Sequence, residues 1–211
     1  MSTARERLRD NDVRFLAVAR NLSTDDWSRR SLCSEWTNHQ VLAHLVIGCG
    51  ATPRAVAFEM AAHRGSFDRA NAAMAQRLAA QRTPAQLIDD FATLIDRPRG
   101  LGRVFPRRLL LGDHVIHELD IVLPLGVQPS IDAAAMTAVL ETQVRVPNPF
   151  VPAAARARGL RLQASDLDWT HGEGPHCVSG TSAHLASVLA GRPWALAQLG
   201  GNGVAVLRDR L

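Results

Sequence analysis

In the run GDHVIHELD, Asp113 and His117 lie four positions apart and Asp120 follows three later. On a helix this spacing brings all three side chains to one face, with neighbouring Cβ atoms about 5 to 6 Å apart. A carboxylate and an imidazole that close can share one divalent ion, and a third ligand must then come from another helix. His44 is the best candidate. It sits inside VLAHLVI, an otherwise apolar segment in which a buried imidazole needs a polar partner. Two histidines and one carboxylate leave at least one coordination position for water or substrate, the arrangement of catalytic rather than structural zinc. The same donors accept nickel, manganese or ferrous iron. Each residue also has a plainer reading: His44 as a core histidine bonded to a carbonyl, Asp113 as a charge favouring the helix start beside Gly112, and His117 as half of a surface ion pair with Asp120 or Glu118. His114 falls off the ligand face, as a base or a surface residue.

Positioning these groups requires at least two helices, and the chain supplies more. Leu8, Phe15 and Val18 share one face of a helix over Ala4 to Asn21. Thr37 and Gln40 have capping-box spacing, which predicts a second helix from Asn38 to about Arg64, carrying His44. Helical signals continue from Phe67 to Arg82, and Thr83-Pro84 starts another helix that Pro98, Gly100 and Gly102 end. After Pro106, RRLLLGDHVIHELDIVL reads as one long helix closed by Pro124 and Gly126. Helices with short connections over the first ~125 residues argue for a bundle.

The pattern then changes. A helix over Ile131 to Val144 is followed by VPNPFVP, whose prolines forbid regular structure and mark a linker or lid. LRLQA, LDWTH and HCVSG are short and alternating, as in a small antiparallel sheet, and GTSAHLASVLAGR returns to helical periodicity ending at Gly191. The fold class is therefore mainly α: a helical bundle over residues 1–128, followed by a small α+β domain over residues 129–211. In that second domain Asp166 and Asp168 read as turn residues, His184 as packing, and its histidines match no ligand spacing.

The bulk properties narrow the function classes. With 211 residues and 46% hydrophobic content the chain can bury a substantial core. Its start, MSTARERLRDND, is neither a signal peptide nor an anchor, and no stretch reaches a membrane span, so a cytoplasmic location is expected. The three cysteines form no CxxC pair and read as buried small apolar residues. The net charge is +4, but the basic residues, all arginine, are dispersed and aromatics are only 5%, which argues against a nucleic-acid surface. Arg107 and Arg108, next to the ligand-bearing helix, are candidates for neutralising an anionic substrate and are otherwise solvated.

Two segments, SEWTNHQVLAHL and LLLGDHVIHELDIVLPLG, resemble the metal-bearing signatures of the mycothiol-dependent maleylpyruvate isomerase family within the DinB-like superfamily, and LRLQASDLDWTHGEGPHCVSGTSAHLASVLAGR resembles its accessory domain. The resemblance implies a DinB-like four-helix bundle. It places metal ligands at His44, at Asp113 where the isomerase has glutamate, and at His117. It gives Asp120 an orienting role behind His117 and makes Trp36 a packing residue. It further implies a divalent metal, zinc foremost, with mycothiol as thiol cosubstrate. The reaction would be cis-trans isomerisation or thiol S-transfer on a small electrophile, and the C-terminal domain would supply a pocket wall or a homodimer contact. The shorter Asp113 arm counts against strict isomerase activity. A non-catalytic metal-binding protein and a metal-dependent hydrolase of a small amide or ester are the alternatives.

Overall fold

Most of the long helices begin where a short polar side chain accepts a terminal backbone N–H, and the one that follows Pro106 has no such cap. The computed structural model describes residues 2–33, 36–148 and 151–211. Helix α1 (Ala4–Arg20) opens on a Thr3/Glu6 capping box, and the short α2 (Thr24–Ser28) on Ser23 and Asp26. The expected Thr37/Gln40 box starts α3 (Asn38–Gly50), and Thr52, followed by Pro53, starts α4 (Pro53–Ala62). Ser66 caps α5 (Phe67–Gln81), and a Thr83/Gln86 box opens α6 (Pro84–Asp96). The single turn α7 (Gly100–Val104) precedes α8 (Arg107–Val122), the longest helix of the candidate site.

The expected single helix from Asn38 to Arg64 is two helices. Pro53 drives Thr52 into an extended conformation, and Ala51 is extended as well, so the chain turns between α3 and α4. The bend is held from outside by α7. A Cβ on Gly102 would lie 2.5 Å from the Cys49 carbonyl oxygen, and one on Gly100 would lie 1.9 Å from that of Ala51. Only glycine lets the backbone of α7 come this close.

Helices α1, α6, α3 and α8 pack in a ring, each against the next, and α5 lies outside against α3. The core of this bundle is built from Phe15, Leu42, Leu45, Leu87, Phe91, Leu111 and Leu119, with Phe15 and Phe91 edge to face at 6.2 Å. Fully burying one such side chain contributes roughly 1.5 to 3 kcal/mol, which makes this core the main stabilising term of the bundle.

Beyond it, α9 (Ala133–Arg145) packs on α8, and the short α10 (Ala153–Ala157) leads into β1 (Leu160–Ala164), β2 (Thr170–His171) and β3 (His176–Gly180). The proline-rich segment reading falls partly on residues 149–150, outside the described residues. The sheet is mixed, not antiparallel as the alternation suggested. Its order is β2-β1-β3, with β1 antiparallel to β2 and parallel to β3. The link from β2 to β3 crosses the start of β1, where Gly172, at φ +79°, and Gly174 run against the carbonyls of Leu160 and Gly159. A side chain at either position would collide with that backbone. LDWTH contributes only Thr170 and His171 to the sheet.

Helix α11 (Ser182–Leu189) packs against α8 and α9, and a 3-10 turn (Pro193–Gln198) and α12 (Val204–Arg208) follow. No helix among the described residues is long and apolar enough to cross a membrane. The three cysteines are free, but only Cys49 is fully buried; Cys33 and Cys177 are partly exposed, because each lies on a segment at the rim of a core.

Candidate metal centre

His44 projects from the middle of α3, and Asp113 and His117 from successive turns of α8, across the seam where the two helices pack. The sequence spacing and the packing bring all three together. His44 Nε2 lies 3.5 Å from Asp113 Oδ2, His117 Nε2 lies 3.6 Å from Asp113 Oδ1, and the two imidazole centroids are 4.5 Å apart, edge to face. These separations exceed a good hydrogen bond, yet one donor atom from each residue falls within 4.8 Å of the others, a spacing that a single ion can bridge.

The outer nitrogens of both rings are already committed. His44 Nδ1 is 2.9 Å from the Asn71 amide oxygen on α5, and His117 Nδ1 is 3.0 Å from Asp120 Oδ2. Each contact is satisfied when Nδ1 carries the proton, which leaves both Nε2 atoms as bare acceptors turned toward Asp113. His44 Nε2 is buried without a hydrogen-bond partner. A buried acceptor left unpaired is costly in a folded protein, and a cation among these three donors would satisfy it. The residues present therefore fit a divalent metal.

Asp120 is itself fully buried, and Arg192 from the loop after α11 grips it with both arms, Nε to Oδ1 at 2.8 Å and Nη2 to Oδ2 at 2.7 Å. Burial raises the Asp120 pKa, but the guanidinium outweighs it and holds the carboxylate below its ordinary range. Trp36 packs against both rings, with its centroid 5.4 Å from that of His44 and 6.3 Å from that of His117, while the Asp113 side chain stays partly open to solvent.

Electrostatics in the cluster run in opposite directions. Burial pulls His44 down, but the Asp113 carboxylate prevails and holds it above its usual value. His117 is lowered, by burial and then by the neighbouring His44 charge. Asp113 resists the upward push of burial because both imidazoles face it, and stays well below the carboxylate range. A second set of possible donors, Cys33 with His117 and Asp120, overlaps the first. It is the poorer set. Both Asp120 oxygens are occupied by Arg192, and burial pushes the Cys33 thiol up to about 12, far from the thiolate a metal requires.

Several sequence readings of neighbouring residues change. His114 is neither a surface residue nor exposed as a base: it is 2% exposed, with Nδ1 2.8 Å from Asp12 on α1 and Nε2 3.7 Å from Cys49 Sγ. Its position in the helical repeat turns it to the α1 face of α8. Asp120 faces Arg192 and His117 rather than solvent, so the surface ion-pair reading of His117 fails. Glu118 is also buried, paired with Arg14 of α1. Asp166 closes the start of α11, accepting from the Ser182 N–H at 2.7 Å, and His184 bonds the Thr181 hydroxyl as well as packing. Asn71 and Arg192 were not anticipated. Asn71 carries a weak signal as the sole asparagine of the alanine-rich α5, while Arg192 carries none among 24 dispersed basic residues.

Comparison with known proteins adds two findings. Residues 8–106 match the family described as mycothiol maleylpyruvate isomerase N-terminal domain. The fold is similar to that of the crystal structure of the mycothiol-dependent maleylpyruvate isomerase, at 16% identity and a TM-score of 0.59, covering 95% of this chain and 93% of that one. A histidine-to-alanine mutant of that enzyme matches with the same TM-score and coverage at 14% identity. No curated protein sequence matches the chain.

Proposed function

Because residues 8–106 match the mycothiol maleylpyruvate isomerase N-terminal domain family, we propose that the chain is a metal-dependent enzyme that uses mycothiol on a small electrophilic substrate, as a cis-trans isomerase or a thiol S-transferase. The reading takes residues 1–128 as the metal-binding bundle and 129–211 as the accessory domain. The observation that carries it is the convergence of two imidazole nitrogens, that of His44 buried without a partner, and one carboxylate on a single point beside Trp36, with both outer nitrogens held from behind.

His44, Asp113 and His117 would hold the ion, and Asn71 and Asp120 keep the two rings in the required tautomer and orientation. A divalent ion, zinc foremost, with nickel, manganese or iron as alternatives, would supply the positive charge that deprotonates a nearby thiol from a pKa of about 8.5 at neutral pH. The exposed side of Asp113 leaves an approach by which a thiol could reach the ion. In the isomerisation, sulfur adds to one carbon of an activated double bond, the resulting single bond rotates, and elimination re-forms the double bond while releasing the thiol. In S-transfer the new carbon–sulfur bond stays and a leaving group departs with the electron pair. Asp113, one methylene shorter than the glutamate that the resemblance implies for the isomerase, counts against strict isomerase activity.

The experiment is elemental analysis of the purified protein and of His44→Ala and His117→Ala, followed by assay of the wild type with mycothiol and maleylpyruvate or a haloaromatic electrophile. About one divalent ion per chain, absent from both variants, with thiol-dependent turnover of either substrate is the expected result. A protein that takes up no zinc, nickel, manganese or ferrous iron would overturn the proposal.

A further inference from the structure

The C-terminal domain carries a group of arginines that the metal centre does not use. Arg156 on α10, Arg158 just after it and Arg210 beyond α12 surround, with Pro152 and Ala155, a cavity of about 300 Å³. No carboxylate lines this cavity, and among the described residues none of the three guanidinium groups takes part in an ion pair. The cavity opens to solvent and the Arg158 and Arg210 side chains are exposed, yet three like charges gathered around it repel one another and favour a bound counter-charge.

The arrangement is built rather than loose. Arg156 donates from Nη1 to the Leu189 carbonyl at 2.9 Å, while its Nε is buried with no partner. Its guanidinium packs over Gly191, at φ +92°, where a Cβ would come within 3.0 Å of Nη2. Arg210 donates from Nη1 to the carbonyls of both Arg156 and Arg158 at 2.6 Å, which ties its guanidinium beside the cavity. The Arg158 side chain makes no hydrogen bond within the protein. Burial and the nearby Arg192 charge also lower the Arg156 pKa, the mark of a cation that lacks a neutralising neighbour.

We propose that this cavity is a phosphate-binding site, taking phosphate as the free ion or as the terminal group of a small phosphorylated molecule. A guanidinium presents paired N–H groups that match two phosphate oxygens at once, and charge-assisted bonds of this kind are about twice as strong as neutral ones. The volume lies at the small end of the range for small-molecule sites, enough for phosphate and a short organic tail. The site is independent of the metal centre, so it stands or falls apart from the enzyme reading.

The test is calorimetric titration of the full chain with inorganic phosphate and with glycerol phosphate, at constant ionic strength in chloride, for wild type, Arg158→Gln and Arg158→Gln/Arg210→Gln. Saturable one-to-one binding is expected, weakened about tenfold or more in the single variant and abolished in the double. Tighter binding of glycerol phosphate assigns the site to phosphorylated molecules, and equal binding assigns it to the free ion. Arg158→Gln removes no internal contact, so its unfolding temperature should match wild type, and any loss of binding then reports on the site. No saturable binding in wild type, or binding unchanged in Arg158→Gln, would overturn the proposal.

Discussion

Helix α8 carries two buried histidines three residues apart, and their surroundings are opposite. His114 is held between α1 and the end of α3, where Asp12 of α1 and Cys49 of α3 occupy both ring nitrogens. His117 faces α3, where only the outer nitrogen is occupied and the inner one is turned toward Asp113 and His44. On the α1 side, the Asp12–His114 and Arg14–Glu118 pairs join two helices, while Asn11 Nδ2, Arg14 Nε and Glu118 Oε1 are buried there without partners. On the α3 side, polar atoms are brought together and left incomplete. What separates the two sides is convergence: opposite charges pair off one to one toward α1, whereas toward α3 two imidazoles and a carboxylate crowd around one point.

The contrast can be broken at either end. The largest effect is expected from Asp12→Ala, which leaves the His114 imidazole buried without its counter-charge and should lower unfolding free energy by about 3 to 5 kcal/mol. Denaturant titration would measure this, and the metal content of the surviving folded protein should stay at wild-type level. If the ion were lost as well, the two faces of α8 would not be separable. Next in size is Asp120→Asn, which frees the outer nitrogen of His117 from its carboxylate. Metal affinity should fall by about 10- to 100-fold in a chelator competition, with stoichiometry intact. Asn71→Ala removes the matching contact on His44 and should weaken the metal by about tenfold, since a neutral amide holds the ring less firmly than a carboxylate. The smallest effect belongs to Thr37→Ala at the start of α3. Losing this cap should cost about 1 kcal/mol of stability and leave the ion in place, which thermal unfolding with and without added zinc would reveal.

Local signals made much of this architecture legible in advance. The Thr37/Gln40 and Thr83-Pro84 boundaries are the observed ones, because a cap is chemistry between near neighbours. The four-residue interval from Asp113 to His117 needed only the helical repeat. What was hidden depended on distant partners. The mixed sheet arises from Gly172 and Gly174 passing over the start of β1, a crossing that alternation in single strands does not encode. The bend between α3 and α4 was overlooked although Pro53 announces it, because the apolar run on either side of it is continuous. His114 was misplaced since its partner, Asp12, is 102 residues away. Asn71 and Arg192 act through contacts that close only when α5 and the loop after α11 are packed in place.

The grip of Arg192 on Asp120 has a consequence for how such a chain can evolve. The arginine follows α11 and the aspartate lies on α8, 72 residues earlier, and the aspartate in turn holds a ring of the candidate centre. A gene cut between the two halves would strand a buried anion in the bundle and slacken the ring behind which it stands. The bundle is therefore not a portable cassette: recombination that moves it to a new neighbour must bring a replacement cation, or the two halves must be inherited together.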